Sequence, residues 1–433
     1  MTREPLHILI ADYVPLANKG EEAIVRGIAD MLGGDRPVRI GVFDNVQQVK
    51  DVDGITVFPI KWIFRQAGKA ASGPKHSLHS ALICVQMRLG QYSTLRNLLS
   101  ARTPEQKPLQ DFWDKTEYVL VGHDGAFCVE SCGVIHLARK AGKSSGILGM
   151  SGGIGGVGRI YKGWLYRRAL NESDFCVFRE ETSQRSMQQV ADAPDKLILA
   201  PDPAFAMRPA AADMAREILE SYESYSKAKS SGTPVVAATV LEKGRVFNNF
   251  MPGSQPDAKR VAHAEYLAHI FDTLIRQHGV FLVFLPHSIE GDGSDVIAAN
   301  HVVDRMRSSA QNYVIIDKDL SPRVLKSIIG ECDFLVAQRT HSVIGAISVG
   351  TPFVALTNRK DTRTHGIVGK MCDCSRSIVN MEDNDAIEAS RRVMSCFADR
   401  ERKREHLNTV SGSLSAQLKV VTETITSITG QEG

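Results

Sequence analysis

The stretch Cys332–Leu356 reads CDFLVAQRTHSVIGAISVGTPFVAL, and it is the part of the chain that decides the fold. An apolar run of strand length is followed by four polar residues, a helix of small residues, and Gly-Thr-Pro before a second apolar run. This order of strand, turn, helix and strand is typical of a parallel α/β sheet. In such sheets, ligands bind at the turns that follow the carboxyl ends of the strands.

The turn after the first of these strands carries Arg339, His341 and Ser342 at the start of the predicted helix. A guanidinium, an imidazole and a hydroxyl beside the free N–H groups of a helix N-terminus suit an anionic ligand that also exchanges a proton. The alternative is structural: Arg339 pairs with a neighbouring acid, and Ser342 only caps the helix.

The composition is that of an ordinary globular protein with two domains. The chain has 433 residues, which is more than one hydrophobic core usually serves, and 43% of them are apolar and 23% charged. A net charge of +3 does not by itself indicate nucleic-acid binding. The N-terminus lacks the sections of a signal peptide, and no apolar run approaches the roughly 20 residues that span a bilayer. We therefore expect a cytoplasmic protein.

The eight cysteines do not have the spacing of a structural zinc site, and we expect no metal. Cys128 and Cys132 lie four residues apart, and Cys372 and Cys374 flank an aspartate, so either pair could be reactive. Core or incidental thiols are the favoured interpretation, as is usual in a reducing cytoplasm.

The first half of the chain alternates strands and helices. Asn18 to Glu22 form a polar turn between the first strand and an amphipathic helix from about Ala23 to Met31. Residues 151–158 form a glycine-rich loop, which lets a ligand approach the backbone closely. The loop is not a Walker A motif, and it follows a late strand, so a dinucleotide site is not indicated. Further strands of this half are predicted at residues 7–11, 38–43, 118–122, 144–150 and 174–178.

The second half repeats the same alternation after a charged stretch. We predict an N-terminal α/β domain at residues 1–207, a linker at 208–232, and a C-terminal α/β domain at 233–433 that includes terminal helices. Ser321-Pro322 predicts a helix start in the second domain, with serine as N-cap and proline in the first turn. Two Rossmann-like domains of this kind imply a cleft between the carboxyl ends of their sheets.

Several short motifs lie at the strand ends: Asn-x-Gly-Glu-Glu-Ala at 18–23, the glycine loop, Arg179-x-x-x-Ser183, Asp202-Pro203-Ala204, Pro286-His287, Arg339-x-His341-Ser342 and Gly350-x-Pro352. Taken together, these motifs resemble those of the polysaccharide pyruvyl transferases. The resemblance covers roughly residues 7 to 370, with a gap at about 59–112. It implies a fold similar to the two-domain B-type glycosyltransferases. It also implies transfer of a pyruvyl group from phosphoenolpyruvate to two hydroxyls of a sugar in a polysaccharide or lipid-linked glycan precursor, giving a pyruvate ketal without a further cofactor.

Binding of phosphoenolpyruvate requires fixed cations and N–H donors, because this donor carries a phosphate and a carboxylate. Arg339 and Arg179 match family positions, and Lys360 is a third candidate cation. Ser342 completes the turn. His287 either contacts the donor, transfers a proton or is a hydrogen-bonded structural histidine. The C-terminal domain is thus the expected donor side.

Proton transfer is assigned to His341, since the unperturbed pKa of histidine lies near neutrality. Whether it protonates the donor carbon or deprotonates a hydroxyl stays open. Glu22 is the second catalytic candidate. Acceptor binding is expected from Asn18, Gly20, Glu21, Gly153 and Gly155, with the alternative that Asn18 and Glu21 serve only the turn and the helix dipole.

Two residues depart from the family pattern. Thr340 stands where leucine is common between the arginine and the histidine, and Glu21 stands where aspartate is usual. A polar residue at 340 is expected to reshape the site without removing its charge.

The insertion at about 59–112 has its own pattern. Residues 54–104 contain no Asp or Glu. A basic, partly amphipathic segment is suited to peripheral contact with an anionic inner membrane face, or to a diphosphate-linked acceptor. The alternative is a solvated helical insertion packed on the first domain. Its cations are Lys61, Arg65, Lys69, Lys75, Arg88, Arg96 and Arg102.

Two other functions are compatible with this pattern. One is a nucleotide-sugar-dependent glycosyltransferase of the same architecture, and the other is a non-catalytic ligand-binding relative. The helical pattern at residues 383–428 does not distinguish them; by analogy with similar folds, a terminal helix returns to the first domain.

Overall fold

The structure, a computed structural model, describes residues 4–34, 36–62, 103–123, 129–151, 156–242, 245–289 and 294–429. The chain forms two compact units. Unit 1 consists of Met1–Leu16, Ile24–Pro203 and Gln417–Gly433, and unit 2 of Ala17–Ala23 and Ala204–Ala416. Most of the basic insertion, and Gly153 and Gly155 of the glycine loop, lie outside the described residues.

Unit 1 is built on an eight-stranded sheet with the order β3-β4-β2-β1-β5-β6-β7-β8. All neighbouring strands are parallel except β3 and β4, which pair antiparallel. The order reverses between β1 and β5, whose residues Ile8 and Tyr118 pair directly. The strands are β1 (Leu6–Tyr13), β2 (Val38–Asp44), β3 (Lys50–Val52), β4 (Ile55–Pro59), β5 (Tyr118–Val121), β6 (Ser144–Met150), β7 (Phe175–Phe178) and β8 (Leu197–Leu199).

The first helix starts earlier than predicted. Four residues of the expected polar turn, Lys19 to Glu22, are already helical. The Asn18 side chain accepts the Gly20 N–H at 3.1 Å and so caps the helix. Glu21 and Glu22 then lie in the first turn, where acids interact favourably with the helix dipole. Among the described residues before 204, the α-helices are α1 (Lys19–Gly33), α2 (Lys107–Lys115), α3 (Val129–Lys140), α4 (Gly156–Glu172) and α5 (Glu181–Gln188).

Unit 2 contains a six-stranded sheet with the order β11-β10-β9-β12-β13-β14, in which every neighbouring pair is parallel. This is the doubly wound order of a Rossmann fold, and its switch point lies between β9 and β12. The strands are β9 (Val235–Thr239), β10 (Phe281–Phe284), β11 (Tyr313–Ile315), β12 (Phe334–Ala337), β13 (Phe353–Thr357) and β14 (Ile378–Asn380).

Helices follow the strands of unit 2 and also occupy residues predicted to be a linker. Two helices lie within 208–232, and Ser321 caps its helix by accepting the Val324 N–H, as predicted. A π-helix at Thr364–Met371 was not predicted. The α-helices are α6 (Ala212–Glu220), α7 (Glu223–Ser230), α8 (Arg245–Asn249), α9 (Pro256–His278), α10 (Asp295–Val303), α11 (Pro322–Gly330), α12 (Thr340–Val349), α13 (Ala386–Ala398) and α14 (Arg400–Thr429).

The stretch that decides the fold has the predicted form of strand, helix and strand. All four residues of β12 are buried, as expected for a strand covered on both faces. α12 follows with Arg339 at its N-cap, and it ends at Gly350, whose φ of 74° favours glycine. A side chain at Gly350 would also meet Asn408. The turn between β12 and α12 therefore lies at the carboxyl edge of the sheet.

The described cysteines are core residues. All six described cysteines are free and buried. Burial raises the pKa of Cys176 to about 12 and the pKa of Cys374 to about 11. Thiols with such a pKa are poor nucleophiles. Among the described helices, none is both long and apolar enough to cross a membrane.

Candidate active site

Unit 2 contains a cavity of about 220 Å³ at the carboxyl ends of its strands, next to the switch point of β9 and β12. A doubly wound sheet places its ligand site at this position. The cavity is lined by Asn18, Gly20, Glu21, Leu241, Val246, His287, Gln338, Arg339, Thr340, His341, Asp361 and Arg363.

Arg339 is held by a buried acid. Its Nε donates to Asp295 Oδ2 at 3.1 Å, and its Nη2 donates to Asp295 Oδ1. The arginine side chain keeps 20% of its surface exposed, whereas the aspartate side chain keeps 1%. The structural alternative for Arg339 is therefore present, but the guanidinium also lines the cavity.

Ser342 fixes the start of α12 and does not line the cavity. Its hydroxyl donates to the Arg339 carbonyl at 2.6 Å, so it accepts the hydrogen of Thr239 Oγ1 at 3.0 Å. These two bonds tie the first turn of α12 to the end of β9. A contact between Ser342 and the donor stays a prediction.

His287 is buried in the wall of the cavity, with 5% of its surface exposed. Burial lowers its pKa to about 3, and the nearby charge of Arg339 acts in the same direction. Its Nδ1 has no hydrogen-bond partner among the described residues. His287 is therefore a neutral imidazole near neutral pH, with one donor and one acceptor nitrogen.

His341 and the start of α1 pack closely together. A Cβ placed on Gly20 would overlap the imidazole of His341, with the ring Cγ only 2.9 Å away. The absence of a side chain at Gly20 thus permits the contact. Asn18 and Glu21 line the same cavity, which places three predicted acceptor residues beside the predicted catalytic histidine.

Glu22 occupies a different environment from Glu21. It is 1% exposed, and its carboxylate accepts Lys19 Nζ at 3.2 Å. Lys19 also pairs with Asp319 at 2.8 Å. Burial alone would lower the pKa of Lys19, but these two carboxylates raise it above its usual value. The catalytic role of Glu22 stays a prediction; of the two glutamates, Glu21 is the one that lines the cavity.

Thr340 belongs to a chain of hydroxyl groups under the cavity. Thr364 Oγ1 donates to Asp361 Oδ2 at 2.6 Å, so it accepts the hydrogen of Thr340 Oγ1 at 2.8 Å. Thr357 Oγ1 donates to the same carboxylate oxygen at 2.7 Å. The polar residue at 340 thus connects α12 to the π-helix.

The loop after β13 contributes a cation other than the predicted one. Lys360 is exposed and does not line the cavity, whereas Arg363 does. Arg363 is the residue directly before the π-helix. Three cations lie within five residues here, Arg359, Lys360 and Arg363, and the sequence alone could not show which of them turns inward.

Arg179 lies in unit 1 and is fully buried. Its Nη1 donates to Asp202 Oδ2 at 2.6 Å, and Asp202 is also fully buried. This ion pair joins the end of β7 to the turn after β8. Binding of the donor by Arg179 stays a prediction.

The sequence patterns did not predict three residues of the candidate site: Asp295, Asp361 and Arg363. Asp295 follows Ser294, which caps α10 by accepting the Val296 N–H at 3.2 Å, so the only local signal was a helix start. Asp361 and Arg363 lie in a loop without periodicity. Their positions depend on tertiary contacts that no sequence pattern reports.

Comparison with known proteins supports a family and a fold. The model of the polysaccharide pyruvyl transferase family matches residues 18–360, which is most of the chain. No curated protein matches the chain in sequence.

Several solved structures are similar over the whole chain. UDP-GlcNAc 2-epimerase from Neisseria meningitidis, bound to UDP-GlcNAc, has a TM-score of 0.51 at 12% identity, covering 98% of this chain and 100% of its own. A glycosyltransferase from Rickettsia africae has a TM-score of 0.52 at 10% identity, covering 99% and 100%. The α,α-trehalose 6-phosphate synthase from Burkholderia multivorans has a TM-score of 0.54 at 12% identity, covering 99% and 98%. At these identities the similarity shows the fold alone: two Rossmann-like domains, as in the B-type glycosyltransferases.

Proposed function

Because the chain belongs to the polysaccharide pyruvyl transferase family, we propose that it transfers the pyruvyl group of phosphoenolpyruvate to two hydroxyls of a sugar, forming a ketal. The acceptor is a polysaccharide or a lipid-linked glycan precursor. The observation that carries the proposal is the single cavity that brings together two arginines, two histidines and the start of α1.

The cavity has one arginine for each of the two anionic groups of the donor, its phosphate and its carboxylate. Arg339 and Arg363 are permanent cations, and guanidinium groups bind phosphate and carboxylate through paired N–H donors. The N–H groups at the start of α12 add further donors beside Arg339. One cation for the phosphate and one for the carboxylate would fix the donor at both ends.

The two histidines line different parts of the cavity, and we assign them different tasks. His287, with a pKa of about 3, stays neutral and can orient a hydroxyl or a phosphate oxygen by hydrogen bonding. His341 lies beside Gly20, Asn18 and Glu21, where a sugar hydroxyl would approach. We assign proton transfer to His341 and keep Glu21 as a second candidate base.

The reaction balances without an oxidant or a reductant. One hydroxyl oxygen bonds to the central carbon, and the methylene carbon gains a proton and becomes a methyl group. The bond from the central carbon to the phosphate oxygen then breaks, and a second hydroxyl forms the other C–O bond. One hydroxyl proton ends on the methyl carbon, and the other is released with inorganic phosphate.

Phosphoenolpyruvate labelled with ¹³C at the methylene carbon tests the proposal. Incubation with the protein and a panel of glycan acceptors should convert the methylene signal into a ketal methyl signal. Phosphate release should require the acceptor and should be lost in His341→Gln. Consumption of a nucleotide sugar, with no label entering any acceptor, would instead support the glycosyltransferase that the fold also allows.

We further propose that the basic insertion contacts an anionic membrane surface, where a lipid-linked acceptor would lie. The support is its charge pattern alone, since six of its seven cations lie outside the described residues. Sedimentation with anionic liposomes should be reduced when the seven cations are neutralised. Equal sedimentation of both proteins would contradict the proposal.

A further inference from the structure

Asp295 is the buried acid behind the cavity. It is the first residue of α10, and 2% of its surface is exposed. Its Oδ2 accepts two N–H groups, from Arg339 Nε at 3.1 Å and from the His287 backbone at 2.8 Å, while Oδ1 accepts Arg339 Nη2. One carboxylate thus joins the loop after β10 to the turn after β12.

The ion pair of Arg339 and Asp295 is exposed to the cavity only at the arginine. The arginine side chain is 20% exposed and the aspartate side chain 1%, so the aspartate lies behind the guanidinium. A guanidinium has five N–H donors in a fixed fork, and Asp295 takes two of them. Three donors remain for a ligand, including both hydrogens of Nη1, and their directions are fixed because the fork is planar.

We propose that Asp295 is a positioning residue. It holds the Arg339 guanidinium and the His287 backbone at a fixed distance and orientation, so that they can bind a phosphate-bearing donor. This inference rests on the function proposed above. A flexible arginine would have to lose rotamer freedom each time the donor binds. Asp295 restricts the arginine beforehand, so the donor meets an oriented cation.

The variant Asp295→Asn distinguishes a residue that positions Arg339 from a residue that only stabilises the fold. In Asp295→Asn, an amide oxygen in the place of Oδ2 can still accept the N–H groups of His287 and of Arg339 Nε, but the NH₂ group in the place of Oδ1 faces Arg339 Nη2 and cannot accept its hydrogen. The variant therefore loses the charge and one of the two bonds that orient the guanidinium, while it keeps the loop contact. A loss that acts through Arg339 should appear in the affinity for the donor and not in the affinity for the acceptor.

The test measures phosphoenolpyruvate affinity by calorimetry and steady-state kinetics in Asp295→Asn and in Asp304→Asn. Asp304 is an exposed acid at the end of the same helix, α10, so its variant controls for the loss of one negative charge. We expect KM and Kd for phosphoenolpyruvate to rise about tenfold to a hundredfold in Asp295→Asn, as for a displaced binding group. The KM for the acceptor should change little, and Asp304→Asn should resemble the wild type.

A double-mutant cycle with Arg339→Lys completes the test. If Asp295 acts through Arg339, adding Asp295→Asn to the Arg339→Lys variant should raise the Kd for phosphoenolpyruvate less than threefold. Equal effects in both backgrounds, or an unchanged Kd for the donor, would overturn the inference. Should Asp295→Asn fail to fold, Asp295→Glu keeps the charge but displaces it, and an unchanged donor Kd in that variant would be equally decisive. A wild-type protein that neither binds nor consumes phosphoenolpyruvate would instead reject the proposed function itself.

Discussion

His287 shows how burial sets the chemistry of a single residue in this site. Its folded pKa of about 3 lies below the usual value of 6.5, so the folded protein binds fewer protons than the unfolded chain between these pH values. The stability associated with His287 is therefore complete above pH 6.5 and declines as the pH falls towards 3. His263, which is buried and accepts an N–H of Gln338 at 2.9 Å, also has a pKa of about 3.

We predict that His287→Gln flattens this pH dependence. On lowering the pH from 7 to 5, the wild type should lose about 2 kcal/mol through His287, at roughly 1.4 kcal/mol for each pH unit below 6.5. The variant should lose about 2 kcal/mol less over the same interval, measured by urea denaturation at both pH values. His406→Gln, at an exposed position on α14, is the control and should behave as the wild type does. The same decline in all three proteins would show that His287 titrates normally.

A side chain at Gly20 should disturb the catalytic histidine. In Gly20→Ala the new methyl group would overlap the His341 ring, so the histidine must move. We expect acceptor-dependent phosphate release to fall at least tenfold, because small displacements of a catalytic group are costly.

The matched control for Gly20→Ala is Gly412→Ala in the middle of α14, where a Cβ would meet nothing within 4 Å. That variant should keep full activity and gain up to about 1 kcal/mol of stability, since alanine favours a helix interior. Activity of Gly20→Ala equal to that of Gly412→Ala would mean that the position of His341 is unimportant.

Sequence patterns identify some of these residues and not others, for a physical reason. Arg339 and His341 could be predicted because they follow a buried strand directly and open a helix, where position in the chain fixes position in space. Asp295 and Arg363 could not, since their roles depend on which loop reaches the turn after β12. The neutral state of His287 likewise depends on burial that its neighbours in sequence do not reveal.

At the scale of elements, the hydroxyl chain of Thr340, Thr364 and Asp361 joins α12 to the π-helix. Thr364→Val removes one donor from the buried carboxylate and leaves the Thr340 hydroxyl without its acceptor. We expect the variant to lose about 1–3 kcal/mol of unfolding free energy. Thr340→Leu restores the residue common in the family and keeps the bond from Thr364 to Asp361, so it should cost less.

Urea denaturation measures the unfolding free energy of Thr364→Val and of Thr340→Leu, and so tests whether the first variant loses more than the second. Thr362→Val lies in the same loop at an exposed position, and it should change stability by less than about 0.5 kcal/mol. A loss in Thr340→Leu larger than that in Thr364→Val would show that Asp361 does not depend on Thr364.

The elements themselves were largely predictable. Most strands of both sheets are apolar runs, and residues 332–356 have the predicted order, because parallel strands buried on both faces leave a clear pattern. The exposed, antiparallel strand β3 has the sequence Lys-Asp-Val and was not predicted. The π-helix was not predictable, since its wider turn has no distinct periodicity in eight residues. The start of α1 was misplaced because Asn18 to Glu22 read equally well as a polar turn and as a capped first turn.

At the scale of the whole molecule, the two units do not correspond to two continuous halves of the chain. The segment Gln417–Gly433 belongs to unit 1, although more than 200 residues separate it from Pro203. Within it Leu418, Val421 and Ile425 are buried, and Thr429 bonds to the Tyr118 hydroxyl at 2.9 Å. The hydrophobic core of unit 1 therefore depends on the end of α14.

We predict that a chain ending at Ala416 loses the stability of unit 1. Three buried apolar side chains at roughly 1.5–3 kcal/mol each amount to a large part of the 5–15 kcal/mol that usually holds a domain together. Calorimetry should show the transition of unit 1 shifted down or lost, and limited proteolysis should cut within 24–203 first. A chain ending at Thr429 is the control, and it should melt as the full chain does. Identical melting of the chain ending at Ala416 would refute the role of this segment.

The division of unit 1 also has a consequence for protein synthesis. Domains usually fold as they emerge from the ribosome, the N-terminal one first. Here the segment that completes unit 1 is translated only after the whole of unit 2, so the N-terminal sheet must wait with part of its apolar surface uncovered. A nascent chain stalled before residue 417 should therefore be a substrate for chaperones, even though its earliest residues left the ribosome long before.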